Sequence, residues 1–307
     1  MRLINPEVRI ETTNLCNAQC SICPREKMTR DLSNMDRNHF CHLLDQVAEM
    51  GAEEVSPFGY GEPLIDKGIT EKIRCISERG MKSFITTNAS LLTITKCFDL
   101  IDVGLSHIRF SVHGVGKEYE EVHRNLKWNK TRGNILTFLK ANAKKGYPVK
   151  VDLSFIPMGL YTQNDIDKVV NGWEHAGIND IEVWRPHNWT TGRDYRLREG
   201  KLKTCGRPQR GPIQINADGK MIVCCFDFDG KIEVGDTHKN TILEILRGDA
   251  FRRIREKHDK GDLSGLICET CDQLNEGDSP LLYSTIDNEL GVGKTSSSKF
   301  SLIQPRQ

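Results

Sequence analysis

Cys16, Cys20 and Cys23 stand in a C-x3-C-x2-C spacing, three thiols within eight residues. A strand-like run, Val8 to Thr13, comes before them, so they sit in a loop leaving a strand end. Such a loop can wrap three sulfurs around one soft inorganic centre. Three thiolates leave a four-ligand site one short. An iron–sulfur cube held this way keeps one iron open to an outside ligand. The plain alternative is a zinc knuckle, which takes four ligands. No further Cys or His lies within ten residues after Cys23.

A second set of thiols lies late in the chain. Cys205, Cys224, Cys268 and Cys271 come from three separated segments, the last two as C-x2-C. Four sulfurs close either a zinc site or a second [4Fe–4S] site, and sulfur count alone favours zinc. Cys225 beside Cys224 is a rival ligand. Cys41, Cys75 and Cys97 fall inside apolar helical patterns and read as packed thiols.

The first cysteine set, followed after the next strand by Gly59-Tyr60-Gly61-Glu62-Pro63, resembles the radical S-adenosylmethionine (SAM) superfamily. The resemblance covers about residues 5–275. It implies that Cys16, Cys20 and Cys23 hold a [4Fe–4S] cluster whose open iron takes the amino and carboxylate groups of SAM. Reductive cleavage then gives a 5′-deoxyadenosyl radical that removes hydrogen from a substrate. Gly59, Tyr60, Gly61 and Glu62 match the segment that pairs with the SAM amino group, with glycine allowing close approach. Asn88 after Thr87, and Ser111, match further SAM contacts, and Ile22 stands where a residue, often aromatic, packs near adenine. The late cysteines, with Gly219-x4-Cys224, resemble the Twitch module, the half-length SPASM extension. That implies a second, auxiliary [4Fe–4S] cluster rather than zinc, with Cys224 favoured over Cys225. A one-electron donor such as flavodoxin or ferredoxin is implied as a partner.

Strand and helix signals alternate through the first two-thirds of the chain. Strands are expected at Val8–Thr13, Glu54–Phe58, Lys82–Thr87, His107–His113, Val149–Phe155 and Asp180–Arg185. Helices are expected near Asp36–Met50, over Ile69, Ile73 and Ile76, near Thr93–Val103, over Ile135 to Leu139, and over Ile166 to Trp173. Six βα units require a parallel sheet with right-handed crossovers, short of the eight in a closed barrel. The fold class is α/β; the resemblance makes it a partial (β/α)6, TIM-like barrel. Residues 186–203 read as a linker, and 114–132 as polar and irregular. Asp218-Gly219 between strand runs signals a hairpin, and helical patterns follow it. The expected division is a core over 1–190, a small β-hairpin and helix cluster module over 191–278, and a flexible tail over 279–307. Gly293-Lys294-Thr295 in that tail lacks the earlier glycine of a phosphate loop.

Strand alternation sorts side chains. Ile108, Phe110 and Val112, then Val151, Leu153 and Phe155, then Ile181 and Val183 suit the helix side. Arg109, Ser111, His113, Asp152, Ser154, Glu182 and Trp184 then point inward, suiting either a wet cavity or a mutually satisfied buried network. His113, Asp152, Glu182 and His187 are the candidate acid/base groups, and neutral-pH titration favours a histidine.

Bulk properties exclude several classes. Lys+Arg 43 against Asp+Glu 42 leaves a net charge of +1 over 307 residues, with no electrostatic case for nucleic acid or an anionic membrane. No apolar run is long enough to span a bilayer, and no secretory signal opens the chain. Eleven cysteines without an export signal point to metal in a cytoplasmic protein, not to a disulfide framework. Radical chemistry beside an electron-accepting auxiliary cluster implies dehydrogenation, and the family's Twitch members include a dehydrogenase of an aminocyclitol alcohol. A small molecule such as a sugar or aminocyclitol is the expected substrate. The rivals are a ribosomal-peptide maturase or epimerase, and a non-enzymatic metal-bound scaffold. Only fifteen residues precede Cys16, so no leader-binding domain is expected there, which favours the small molecule.

Overall fold

The computed structural model describes residues 2–158, 163–173, 176–190, 192–193, 202–275 and 281–286. Six parallel strands form its centre: β1 (Glu7–Ile10), β2 (Glu54–Ser56), β3 (Lys82–Thr87), β4 (His107–Ser111), β5 (Lys150–Phe155) and β6 (Asp180–Trp184). They lie in chain order, as right-handed βα repeats require. The expected spans hold to within a few residues. The connecting helices are α1 (Arg37–Glu49), α2 (Ile69–Glu78), α3 (Ile94–Asp102), α4 (Lys117–Val122), α5 (Trp128–Lys144) and α6 (Gln163–Asn171). Asp36 caps α1 by accepting from the amides of Asn38 and His39, and Thr93 caps α3 through Lys96. This is a partial, open (β/α)6 barrel.

Strand alternation sorts the side chains as expected. Ile108, Phe110, Val112, Val151, Leu153, Phe155, Ile181 and Val183 are buried in one apolar core against the helices. Their neighbours Arg109, Ser111, His113, Ser154 and Trp184 line a cavity on the other face.

Three expectations fail. The stretch 114–132 holds the short helix α4 and the start of α5; Tyr119 and Val122 bury where polar neighbours mask them in the sequence. The expected tail over 279–307 contains a strand, β10 (Leu281–Ser284), antiparallel to β6. Buried Asp180 holds it, accepting from Ser284 Oγ, the Thr285 amide and Thr285 Oγ1 at 2.8–3.0 Å. The glycine-rich stretch 291–299 lies outside the described residues. The expected linker is the third. Asn188 and Thr190 are buried, and Arg193 and Trp189 dock onto the first cysteine loop.

The late segment does not stand apart. After α7 (Arg207–Arg210), β7 (Ile213–Ile215) pairs in parallel with β1, and β8 (Lys220–Ile222) and β9 (Glu233–Asp236) extend the same ten-stranded sheet. Gly219 turns the β7–β8 hairpin at φ +80°, a conformation that glycine adopts freely. Helices α8 (Ile242–Arg247) and α9 (Asp249–Lys260) follow. Ile213, Ile215, Val234, Ile242 and Ile245 share one buried cluster with Val8, Ile10, Phe40 and Leu44. The hairpin is thus built onto the edge of the barrel by common apolar burial.

Candidate active site

The cysteine loop leaves β1 and is fixed from two sides. On one side lies Gly59-Tyr60-Gly61-Glu62 after β2. A Cβ on Gly61 would collide with the carbonyl oxygens of Thr13 and Leu15, and the Glu62 amide donates to Leu15 O at 2.8 Å. A Cβ on Gly59 would strike the Glu11 side chain. The two glycines therefore let this segment press against the cysteine loop and β1. Close approach to a ligand is not what the contacts require of them. On the other side is the strap at 188–193. Trp189 Nε1 donates to Ile22 O at 2.9 Å, Arg193 Nε to Ser21 O at 2.7 Å, and Arg193 Nη2 to Cys23 O. No sequence motif marks this strap; only its Trp and Arg hint that it is more than linker.

Glu11 ties these pieces together. It is buried and takes both Arg30 nitrogens, at 2.8 and 3.2 Å. It also accepts from the amides of Tyr60, at 2.8 Å, and Ala217, at 3.0 Å. One carboxylate thus joins β1, the Gly-Tyr-Gly-Glu turn, the cysteine loop and the late hairpin. Tyr60 reaches the same hairpin, its hydroxyl donating to Cys225 O at 2.5 Å.

One cavity of about 490 Å³ receives these elements. Cys16, Cys20, Cys23, Ile22, Gly59, Tyr60, Gly61, Glu62, Asn88, Ser111, His113 and His187 all line it. The three thiols all line its wall, and a set of thiols is the donor type an iron–sulfur cluster takes. Cys16 Sγ accepts from the Ala18 amide at 3.5 Å, and Cys20 Sγ lies 3.4 Å from His123 Nδ1. Burial, with the neighbouring thiols adding to it, pushes Cys20 upward, and burial lifts Cys23 to about 11. Burial thus keeps the unligated thiols protonated, and a cationic centre is what would make them thiolates.

Glu62 is 2 % exposed. Its carboxylate accepts from Thr87 Oγ1 at 2.6 Å, the Asn88 amide at 2.8 Å and the Leu64 amide at 3.1 Å. Burial raises it to about 7 against those three donors. At neutral pH it therefore stands near the balance between acid and carboxylate. Asn88 lines the cavity but spends its amide on the loop, donating to Asn17 Oδ1 at 3.0 Å and accepting from the Ser90 amide.

The acid/base candidates separate. Asp152 and Glu182 lie in a buried ion network: Asp152 with His107 at 2.6 Å and Lys150 at 3.1 Å, Glu182 with Arg109 and Trp184 Nε1, both at 2.8 Å. Neither lines the cavity. His113 does, but its Nδ1 accepts from the Ile156 amide at 3.1 Å and burial holds its imidazole down at about 3. His187 lines the cavity with Asp272 behind it, Nδ1 to Oδ2 at 3.8 Å, and Gln273 Nε2 at 3.3 Å.

The late thiols gather beside the same chamber. Cys271 feels both Cys268 and Cys205, and Arg207 feels Cys205, Cys224 and Cys225. Cys224 Sγ accepts from the Phe226 amide at 3.4 Å. Cys225, not Cys224, lines the cavity, and Arg207 Nη1 reaches Cys225 Sγ at 3.4 Å. Cys205, Cys224, Cys268 and Cys271 are thiol donors of the kind an iron–sulfur cluster takes.

The model of the radical SAM superfamily matches residues 10–171, and that of the SPASM iron–sulfur cluster-binding domain matches residues 205–272. A probable GTP 3′,8-cyclase of Sulfurisphaera tokodaii is 21% identical over 79% of this chain and 86% of its own length. The structure of BtrN in complex with AdoMet and 2-DOIA superposes with a TM-score of 0.63 at 19% identity, covering 90% of this chain and 95% of that one. Streptococcus suis SuiB bound to S-adenosylmethionine gives 0.68 at 16% identity, covering 90% and 73%. SuiB is also solved bound to the precursor peptide SuiA.

Proposed function

The chain belongs to the radical SAM superfamily and carries a SPASM-type cluster domain, and on that premise we propose that it oxidises a small molecule as a dehydrogenase. Its cofactors are a [4Fe–4S] cluster, SAM and auxiliary iron–sulfur; the non-enzymatic scaffold reading falls with the family match. Among the described residues no helix is long and apolar enough to cross a membrane.

When bound, the cluster and SAM supply a hydrogen-abstracting deoxyadenosyl radical, and the auxiliary cluster supplies an electron acceptor. Cys16, Cys20 and Cys23 would hold the first cluster, and Cys205, Cys224, Cys268 and Cys271 the second. Glu62 would take the SAM ammonium, a buried charge meeting its counter-charge. Gly59 and Gly61 fix that carboxylate by letting the turn close on the loop. Ile22 and Ser111 offer apolar and hydroxyl contacts to the same ligand. His187, with Gln273 Nε2 at 3.3 Å and Asp272 at 3.8 Å from its Nδ1, is the cavity histidine we assign to take the substrate proton, since His113 spends its Nδ1 on the Ile156 amide. Trp184, Trp189 and Phe226 line the chamber and keep water from it.

One observation carries the reading. Residues flanking both cysteine sets, Cys16, Cys20 and Cys23 on one side and Cys225 on the other, line a single cavity. A substrate there lies between hydrogen abstraction and electron acceptance. The cavity, about 490 Å³, must take SAM as well as a substrate, which favours a compact substrate. The small molecule bound to BtrN supports that size class, whereas SuiB is solved with a peptide. The test is anaerobic SAM cleavage by variants. Cys16→Ala should release no 5′-deoxyadenosine; Cys268→Ala should still release it and should lose substrate oxidation. Equal behaviour of the two variants sinks the division of labour.

A further inference from the structure

The cavity wall made by β1 and β7 holds two buried amide donors that no group among the described residues satisfies. Gln214 and Asn216 are each 5 % exposed, and Gln214 Nε2 and Asn216 Nδ2 are buried without a hydrogen-bond partner. Both residues line the cavity. They are two apart at the end of β7, so they share a face, and Arg9 stands beside Gln214 in the β1–β7 register. Arg207, from α7, lines the same wall.

One cation at this wall has no carboxylate within ion-pair distance among the described residues. Arg9 pairs with Glu7 at 2.5 Å, and Arg109, across the chamber, pairs with Glu182 at 2.8 Å. Arg207 reaches Cys225 Sγ and the face of Phe226, and otherwise feels the thiols of Cys224 and Cys205 and, more weakly, Glu7. The carboxylates that line the cavity, Glu11 and Glu62, are each committed to three or more donors. Amide groups can turn to offer either end, but a guanidinium only donates. A buried donor left unpaired is costly, so a group that satisfies several at once binds with a corresponding gain.

We propose that this wall is a subsite for an anionic group of the substrate, a carboxylate or a phosphate, held by Arg207, Gln214 and Asn216. The inference rests on the cavity being the reaction chamber. It narrows the substrate class: a neutral sugar could accept from the two amides but brings no counter-charge to Arg207, whereas an anionic small molecule meets all three. The group sits on the Cys225 side, which would bring the far end of the substrate toward the cysteine loop.

The test uses the cluster-loaded protein saturated with SAM, so that the SAM carboxylate cannot account for the result. Inorganic phosphate and acetate are titrated separately, read by 31P and 13C line broadening. One of them should bind, and which one identifies the group. Arg207→Gln should weaken that binding about tenfold, as expected for loss of a charged donor. Gln214→Leu, which leaves the guanidinium in place, should weaken it too, and iron content checks that each variant is loaded. No binding of either anion to the SAM-saturated protein overturns the proposal, as does wild-type binding in both variants. Anion binding that SAM abolishes also overturns it, assigning the donors to SAM. Release of 5′-deoxyadenosine by the wild type tests the underlying reading separately. Anion binding without that release would sink the enzyme reading and leave the subsite.

Discussion

His123 Nδ1 lies 3.4 Å from Cys20 Sγ, and the other ring nitrogen accepts from the His113 amide at 3.1 Å. The second contact decides the first. Nε2 must be bare to accept, so the neutral ring carries its proton on Nδ1, aimed at sulfur. His123 is 1 % exposed and stacked between His113 at 4.8 Å and Tyr119 at 4.3 Å. Hydrogen bonds to cluster sulfurs raise the reduction potential by favouring the more negative state. His123→Phe keeps the stack and removes the donor. Its three-cysteine cluster should become harder to reduce by about a decade in electron affinity, ~59 mV for one electron. EPR-monitored redox titration reads the shift, and an unchanged midpoint would remove His123 from this role.

Glu11 should matter as much for stability as for the site. Removing one partner of a buried, multiply bonded pair costs about 3–5 kcal/mol. Glu11→Ala leaves Arg30 and two backbone amides without an acceptor. Chemical denaturation under anaerobic conditions should show a loss of that size. A loss below about 1 kcal/mol, the range of exposed pairs, would contradict the hub role.

Glu62 makes SAM binding depend on pH. Its carboxyl is raised to about 7 by burial, so in the ligand-free fold it is largely protonated below that pH. The sign for folding follows: this group stabilises the fold below its unfolded value, and that contribution fades as pH rises through about 7. For a cationic ligand the sign is opposite. SAM affinity should tighten as pH rises through about 7, with proton release from the protein. Calorimetry in buffers of different ionisation heat measures that release. Glu62→Gln should weaken SAM and flatten the dependence; a flat wild-type profile would argue against this pairing.

The core's α/β architecture and the site's first ring were legible because each rests on local pattern. Period-two alternation in β4 to β6 told Ile108 from Arg109 and Val151 from Asp152. Cysteine spacing named the thiols. What stayed hidden depends on contacts far apart in the chain. Trp189 and Arg193 look like loop residues until they meet Ile22, Ser21 and Cys23 more than 160 positions away. Asp152 and Glu182 share the inward face with His113, but whether an inward polar group meets a cavity or an ion pair is set by its neighbours across the sheet. His123 sits in the stretch read as irregular, where nothing local announces a helix or a sulfur contact. Leu281–Ser284 is too short to call without its partner strand.

The strap gives a prediction independent of turnover. Arg193 donates to two loop carbonyls and pairs with Glu26 at 2.8 Å. Arg193→Ala should loosen the cysteine loop while leaving its thiols in place. Iron loss to a chelator from the anaerobic, loaded protein should quicken about tenfold, the worth of one charged hydrogen bond. An unchanged rate would mean the strap only covers the loop.

The most direct test is EPR of the anaerobically reconstituted, dithionite-reduced protein, recorded with and without SAM. A cluster held by Cys16, Cys20 and Cys23 alone should give a reduced signal that changes when SAM is added, and Cys16→Ala should lose that signal. A spectrum indifferent to SAM, or a cluster already closed by a fourth side chain, would contradict the account.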